Sequence, residues 1–375
     1  MTFKPVYDKI RKFFKNFGWS RIVMTFKPVY DKLRKFIKNF GWPRIIIAIF
    51  LLTLFITAPF VGVNFGTALS DTLVRFGMSS VLVLAMVPMV HSGTGLNFGL
   101  PLGIIAGLLG GTLSMEIGFT GPVSFLMAIV LATPFAVLFG YGYGQLLNKV
   151  KGGEMMIATY VGFSSVAFMC IMWLLLPYRN PTMVWGFAGT GLRTTISTEG
   201  YYLKVLDNFL KLNIGRLSIP TGMLLFFALL AFLVWAFLHT KTGTAMTAVG
   251  SNPVFARASG INIDRIRTLS VILSTWLAAI GILVYQQSFG FIQLYMGPFN
   301  MALPAVSAVL IGGASVNKAS IPNVIIGTFL FQGILTMTPS VMNSIIQTDM
   351  SEVIRIIVSN GMILYALTRK TEASR

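Results

Sequence analysis

Acidic residues are the scarcest feature of this chain. Of its 375 residues 11 are Asp or Glu against 29 Lys or Arg, and charged residues of both signs amount to 11%. Soluble domains carry about 25%, so a water-soluble globule is excluded. Asp71, Glu116, Glu154, Asp349 and Glu352 all fall at the edges of apolar runs. Proton-coupled carriers place ionisable groups within the membrane, where the charge is neutralised in transit, and that pattern is missing. The single cysteine, Cys170, sits in an apolar run and reads as a small buried hydrophobe, with no disulfide or thiolate-metal framework within the chain. His91 and His239 stand alone and apart, so no metal site is expected. No G-x-x-x-x-G-K-[ST] phosphate loop occurs, and GGASVNKAS lacks the glycine before its lysine. Catalysis, ATP hydrolysis included, is not expected of this polypeptide.

What the chain has instead is apolar length. Hydrophobic residues make up 55% and the mean hydropathy is +0.78. A membrane helix needs about 20 apolar residues. Candidate spans lie near 45–63, 73–90, 99–114, 123–146, 155–176, 219–238, 269–289, 301–315, 322–338 and 352–368. The expected fold is therefore an all-α polytopic membrane protein of about ten transmembrane helices. A cytosolic N-terminus puts the loops near 91–98, 147–154, 239–268 and 316–321 and the tail inside. Only Arg75, Arg179, Arg193, Lys204, Lys211, Arg216 and Arg355 then fall elsewhere. Five of these seven lie in one long outer loop, which the positive-inside rule does not govern. The net charge of +18 thus reports orientation, with both termini cytosolic, and not nucleic acid.

Three regions follow from the pattern: a basic prelude at 1–44, a membrane domain at 45–370 and a tail at 371–375. The prelude holds a tandem repeat, MTFKPVYDKIRKFFKNFGWSRIV (1–23) recurring as MTFKPVYDKLRKFIKNFGWPRII (24–46). Each copy mixes aromatic and aliphatic residues with Lys and Arg. This composition suits an amphipathic helix on an anionic leaflet, with membrane lipids as partner.

The longest polar interval of the second half, Ala248 to Thr268, organises the rest. Asn252 is a candidate cap and Pro253 suits the first helical position. Gly260 suits a left-handed stop, and Asn262 caps the helix that follows. The two-turn helix between them is too short to stand alone and is shaped to be gripped by a cytosolic partner.

This interval resembles the coupling loop of ABC-importer permeases of the ribose, simple-sugar and nucleoside group, through Ala248, Gly250, Asn252, Ala256, Arg257, Gly260 and Ile261. Other segments resemble the same family in the same order. His91-Ser-Gly-Thr-Gly-Leu-Asn-Phe-Gly99 is similar to its T-G-G-I-D-L-S-V-G, with Gly95 at the aspartate position. Val309, Leu310, Gly312, Gly313 and Ser315 match a second glycine segment, and Glu154, Ile157 and Thr159 resemble nucleoside-type members. Gly313, Asn317, Ile325 and Gly327 also echo Gly93, Asn97, Ile105 and Gly107, a sign of internal repetition.

The resemblance implies a permease dimer, identical or paired with a sister chain. It would bear two cytosolic ABC ATPases, which hold the ATP and Mg, and would be visited by an extracytoplasmic solute-binding protein at the inner membrane. It implies coupling through Asn252, Pro253, Val254, Phe255, Ala256, Arg257, Ser259 and Gly260. Polar positions expected along a solute path are His91, Asn97, Gln286, Gln287, Asn317 and Gln332, with Phe98 beside them. Gly103, Gly107 and Gly111, like Ser270, Ser274 and Ala278, are expected to serve helix packing. Residues 177–218 are expected outside, with a short amphipathic helix over Tyr201–Leu212, either docking the binding protein or merely connecting. The expected cargo is a simple sugar or a nucleoside. The alternative is a secondary carrier or channel working alone.

Overall fold

The computed structural model describes residues 42–185, 191–316, 318–346, 353 and 356–364. The prelude at 1–44, but for its last three residues, Asn317 and the tail at 371–375 lie outside the described residues. The chain divides into units 1–49 and 50–375. The described part of the first is the opening of helix α1 (Trp42–Thr57).

In the second unit, Asn64 accepts from the amides of Gly66 and Thr67 and starts α2 (Phe65–Leu84) about two turns before the expected span. Then come α3 (Met86–His91), α4 (Leu100–Ile117), α5 (Gly121–Lys149) and α6 (Glu154–Leu175). A segment with β1 (Thr195–Ser197), α7 (Val205–Asn208), β2 (Leu212–Ile214) and β3 (Leu217–Ile219) precedes α8 (Thr221–Leu238). Next are α9 (Lys241–Ser251), α10 (Pro253–Ala258), α11 (Ile263–Phe289), β4 (Phe291–Gln293), α12 (Gly297–Ile311) and α13 (Ile321–Ile346). Residues 356–364 are helical as well.

Among the described residues eight helical stretches are long and apolar enough to cross a membrane. The expected span at 301–315 is the 15-residue α12. At 1.5 Å per residue it covers about 22 Å of a roughly 30 Å core. The expected span at 352–368 lies partly outside the described residues.

The helices sort into a centre and a periphery. The stretch Phe65–His91 and α4 are each buried over 78% of their apolar window, and α11 over 72%. For α6 the share is 22%, and Phe168 and Leu175 stand open on it. Small residues set the centre, since they let helix axes approach closely. A Cβ at Gly103 would stand 2.5 Å from the Thr275 carbonyl oxygen and from Ala278 Cβ, and one at Gly107 would collide with the Ala279 carbonyl. On the next face, a Cβ at Gly110 would stand 2.5 Å from Ala132 Cβ on α5. Two members of the glycine row thus seat α4 on α11 as the sequence indicates. The third, Gly111, instead leaves room for the Tyr202 hydroxyl.

The internal echo has a backbone counterpart. After α3, the amides of Ser92, Gly93 and Thr94 donate to the carbonyls of Pro88, Val90 and Met89. After α12, the amides of Gly312, Gly313 and Ala314 donate to Ala308, Leu310 and Val309, the same offsets. Gly93 (φ 71°) and Gly313 (φ 91°) occupy the left-handed position that each such stop requires.

The stretch between α6 and α8 differs from expectation. A helix over Tyr201–Leu212 reduces to the single turn of α7, because residues 201–204 form a turn in which Lys204 has a φ of 51°. β1 pairs antiparallel with β4, Ile196 opposite Ile292, and β2 with β3, Asn213 opposite Ser218. Tyr202 is wholly buried and its hydroxyl donates to Gln286 Oε1 at 3.2 Å. The segment is docked on the end of α11 and is no loose connector.

Candidate functional site

Two places stand out: the short helix α10 with what lies beneath it, and a cavity of mixed lining that contains Arg75 and Gln332.

The local signals for α10 act as read. Asn252 Oδ1 accepts from the Phe255 amide at 3.0 Å, and Pro253 occupies the first turn. Gly260, at φ 79°, allows the Ile261 amide to reach the Ala256 carbonyl at 3.0 Å. Asn262 then caps α11 through the Arg265 amide at 3.0 Å. Ala256 is fully buried in a small cluster with Val249 and Ile263. Val254 and Phe255 are 81% and 64% exposed, and Arg257 and Ser259 are exposed beside them. The helix is therefore pinned by one side and offers two large apolar groups and a cation on the other.

Sequence reasoning missed α9, which precedes it. Its residues, KTGTAMTAVGS, are rich in Gly and Thr, poor helix formers, and its start is set by the Thr240 hydroxyl accepting from the Gly243 amide. Near its end, Gly250 lies directly against the turn that follows α3. A Cβ there would collide with the His91 carbonyl and come within 2.9 Å of the Gly93 nitrogen. His91 bridges three elements: Nδ1 lies 3.3 Å from Thr247 Oγ1 on α9, and Nε2 lies 2.8 Å from the Ala319 carbonyl before α13. Spacing between membrane spans carries no trace of such a backbone crossing.

From that turn a buried polar chain runs along α11. Ser92 Oγ is 2.6 Å from both Thr94 Oγ1 and Ser270 Oγ. Asn97 Nδ2 donates to Ser274 Oγ at 2.8 Å, and Ser274 Oγ donates to the Ala85 carbonyl at 2.5 Å. Tyr143 OH donates to Asn97 Oδ1 at 3.3 Å. Asn97 is fully buried and Phe98 packs beside the Met89, Tyr143 and Val271 cluster. Ser270 and Ser274 thus bind the 91–97 segment rather than only admitting a neighbouring helix. The start of α11 is clasped from the other side. Arg267 pairs with Glu154 at 2.6 Å, Lys151 with Asp264 at 3.0 Å, and Asn148 Nδ2 donates to the Asp264 carbonyl at 2.9 Å.

Gln286 and Gln287 sit at the far end of α11, both buried. Gln287 Oε1 accepts from the Leu206 amide at 3.1 Å, and its Nε2 donates to Asp207 Oδ1 at 3.2 Å. Ser288 donates to the other Asp207 oxygen at 2.6 Å. In this conformation the two amides anchor the segment that carries α7.

Gln332 lies elsewhere, in a cavity of about 580 Å³ between α2, α12, α13 and residues 356–364, with Tyr285 of α11 at its wall. Its Nε2 donates to Ser79 Oγ at 2.8 Å, and Arg75 and Asn300 line the same space. The structure therefore separates the expected path residues into three groups: His91, Asn97 and Phe98 on the segment that follows α3, Gln286 and Gln287 at the far end of α11, and Gln332 in the cavity.

Residues 45–366 match the family described as branched-chain amino acid transport system, permease component. The autoinducer 2 import system permease protein LsrC of Enterobacter sp. (strain 638) is 25% identical over 274 residues, 71% of this chain and 70% of the relative. Its counterpart in Photorhabdus laumondii is 26% identical over 279 residues, 70% and 78% of the two chains. That of Escherichia coli O157:H7 is 25% identical over 297 residues, 78% and 77%. No solved structure matches. The family match runs from the first membrane helix to the helical stretch at 356–364, and this multi-pass chain belongs to the permease-component family of branched-chain amino acid transport systems.

Proposed function

We propose that the chain is the membrane-spanning subunit of an ATP-driven importer for a small polar solute, in a bacterial inner membrane with both termini cytosolic. The observation that carries this is α10, which buries Ala256 and turns Val254, Phe255 and Arg257 outward. An exposed Val–Phe pair on a six-residue helix between membrane spans offers a small apolar surface to a cytosolic partner. It fits the groove of a nucleotide-hydrolysing subunit, which would hold the ATP and Mg.

Closure of two such subunits presses on α10 in each permease of a dimer. The load passes by two routes: directly into α11, which starts at Ile263, and through Gly250 of α9 into the turn at His91–Thr94. The second route leads along the Ser92, Ser270, Asn97 and Ser274 hydrogen bonds into the centre of the bundle. Spans joined to these points tilt, and the solute delivered by an extracytoplasmic binding protein passes. The similar LsrC proteins are named for import of autoinducer 2, which supports a simple sugar or related solute. Glu154, the residue that pointed toward nucleosides, is engaged with Arg267.

Arg257→Glu tests the reading in vesicles holding the permease with its ATPase and binding protein. Uptake should fall at least tenfold, while the binding protein's affinity for solute stays unchanged. Phe255→Ala should uncouple in the same direction. Normal uptake by both variants, or gradient-driven flux without the ATPase, refutes the proposal and favours a stand-alone carrier.

A further inference from the structure

The cavity that holds Gln332 has a charge that the reading of this chain as an importer does not use. Arg75 lies ten residues into α2, about 15 Å along a helix that starts at one membrane face. Gln332 lies eleven residues into α13 from the other face, about 16 Å, so the two meet near half height. A guanidinium at that depth is costly, and such groups are kept where they face a water-filled path or a partner. The ion pairs among the described residues, Lys151–Asp264 and Arg267–Glu154, do not involve Arg75. Asp71, one turn earlier and exposed, interacts with it electrostatically but does not line the cavity. No carboxylate is among the described lining residues, whereas Ser79, Tyr285, Asn300, Gln332 and Asn360 supply hydroxyls and amides.

We propose that this cavity is a binding station for a small hydroxyl-rich solute bearing a negative group, carboxylate or phosphate, with Arg75 as its charge-selecting residue. The inference rests on the importer reading and narrows its solute. A cation with neutral donors around it among the described lining residues stabilises an anion. Arg also presents a fork of donors that matches carboxylate and phosphate oxygens.

The chain's single cysteine makes the test direct. In a Cys170→Ser background, Ser79→Cys and, separately, Asn300→Cys are placed in the full-length permease in lipid nanodiscs. Each is alkylated with an anionic sulfonatoethyl and a cationic trimethylammonioethyl methanethiosulfonate, with rates normalised to a free thiol in solution. The anionic reagent should be favoured roughly tenfold in the normalised ratio, as expected of a unit charge a few ångströms away. Arg75→Gln should abolish the bias and Arg75→Lys retain most of it. D-ribose 5-phosphate should slow labelling more than D-ribose at equal concentration, and Arg75→Gln should equalise the two sugars.

A ratio near one, a bias unaffected by Arg75→Gln, or no difference between the sugars overturns the proposal. So does failure of both reagents to reach either cysteine while an outer control, Glu199→Cys, is labelled. These results are separable from those on α10. Absent charge bias with intact ATP-driven uptake leaves the importer reading standing. Charge bias with normal uptake by Arg257→Glu and Phe255→Ala removes the coupling and keeps the anion preference.

Discussion

Substituting Gly250 by alanine probes the contact through which α9 meets the turn after α3. An added Cβ would overlap the His91 carbonyl and stand 2.9 Å from the Gly93 nitrogen. Both are backbone atoms, so relief requires one chain segment to move. Over-packing of this kind costs about 1–3 kcal/mol, and two backbone obstacles place it near the upper end. Alanine recovers up to about 1 kcal/mol of helix propensity over glycine, which leaves a net loss of about 2 kcal/mol. Gly142 supplies the matched control: it lies within α5, exposed, and a Cβ there meets nothing within 4 Å. Gly142→Ala should be neutral or stabilise by about 0.5–1 kcal/mol, so the two alanines differ by about 3 kcal/mol. Denaturant titration of the purified permease reads the stability difference, and uptake per ATP hydrolysed reads the coupling. Gly250→Ala should be less stable and should hydrolyse ATP with little transport. Equal stability of the two variants, or full coupling in Gly250→Ala, would refute the close contact and the second transmission route.

Other substitutions test the surroundings. Arg267→Ala strands the Glu154 carboxylate at a site where the two side chains are 9% and 18% exposed, and the loss should be about 3 kcal/mol. A double-mutant cycle with Glu154→Ala should recover much of it, and additive losses would show that the pair is not coupled. Asp207→Ala leaves Gln287 Nε2 without its carboxylate partner in a buried place and should cost about 1–3 kcal/mol. Its readout is faster proteolytic cleavage within 177–218, and an unchanged rate would mean that α7 is held by other contacts. Asn252→Ala removes the cap of α10 at about 1 kcal/mol and should lower uptake with ATP hydrolysis retained, whereas wild-type uptake would mean the partner surface alone sets the helix.

Some of this architecture was legible because it is written in local chemistry. The Asn252-Pro253 start, the Gly260 stop and the Asn262 cap involve atoms within a few residues of one another, and all three hold. The apolar runs identify spans because the bilayer imposes a length on them. Two starts moved earlier than the hydropathy alone indicates, at Phe65 and Ile263, since caps and not apolarity decide where a helix begins. The run at 301–315 was apolar enough for a span, but the helix begins at Gly297 and stops at Ile311. Its stop after Ile311 needs Gly313 in a left-handed turn, a signal present in the sequence and outweighed by the hydropathy.

What was illegible depends on distant chain segments. Ser270 and Ser274 look the same whether they admit a helix or bind Ser92 and Asn97, because 178 and 177 residues separate the partners. Gln286 and Gln287, expected on a solute path, meet Tyr202 and Asp207 across 84 and 80 positions. By itself the order of residues determined a helical membrane body, its short capped knuckle and its family, since period, length and capping act over one or two turns. Only the folded chain decided which polar groups share a space: Gly250 against His91, Asp207 beneath Gln287, Ser79 against Gln332. Those pairings follow from helices crossing at close approach, where a missing Cβ or one buried hydroxyl selects the neighbour.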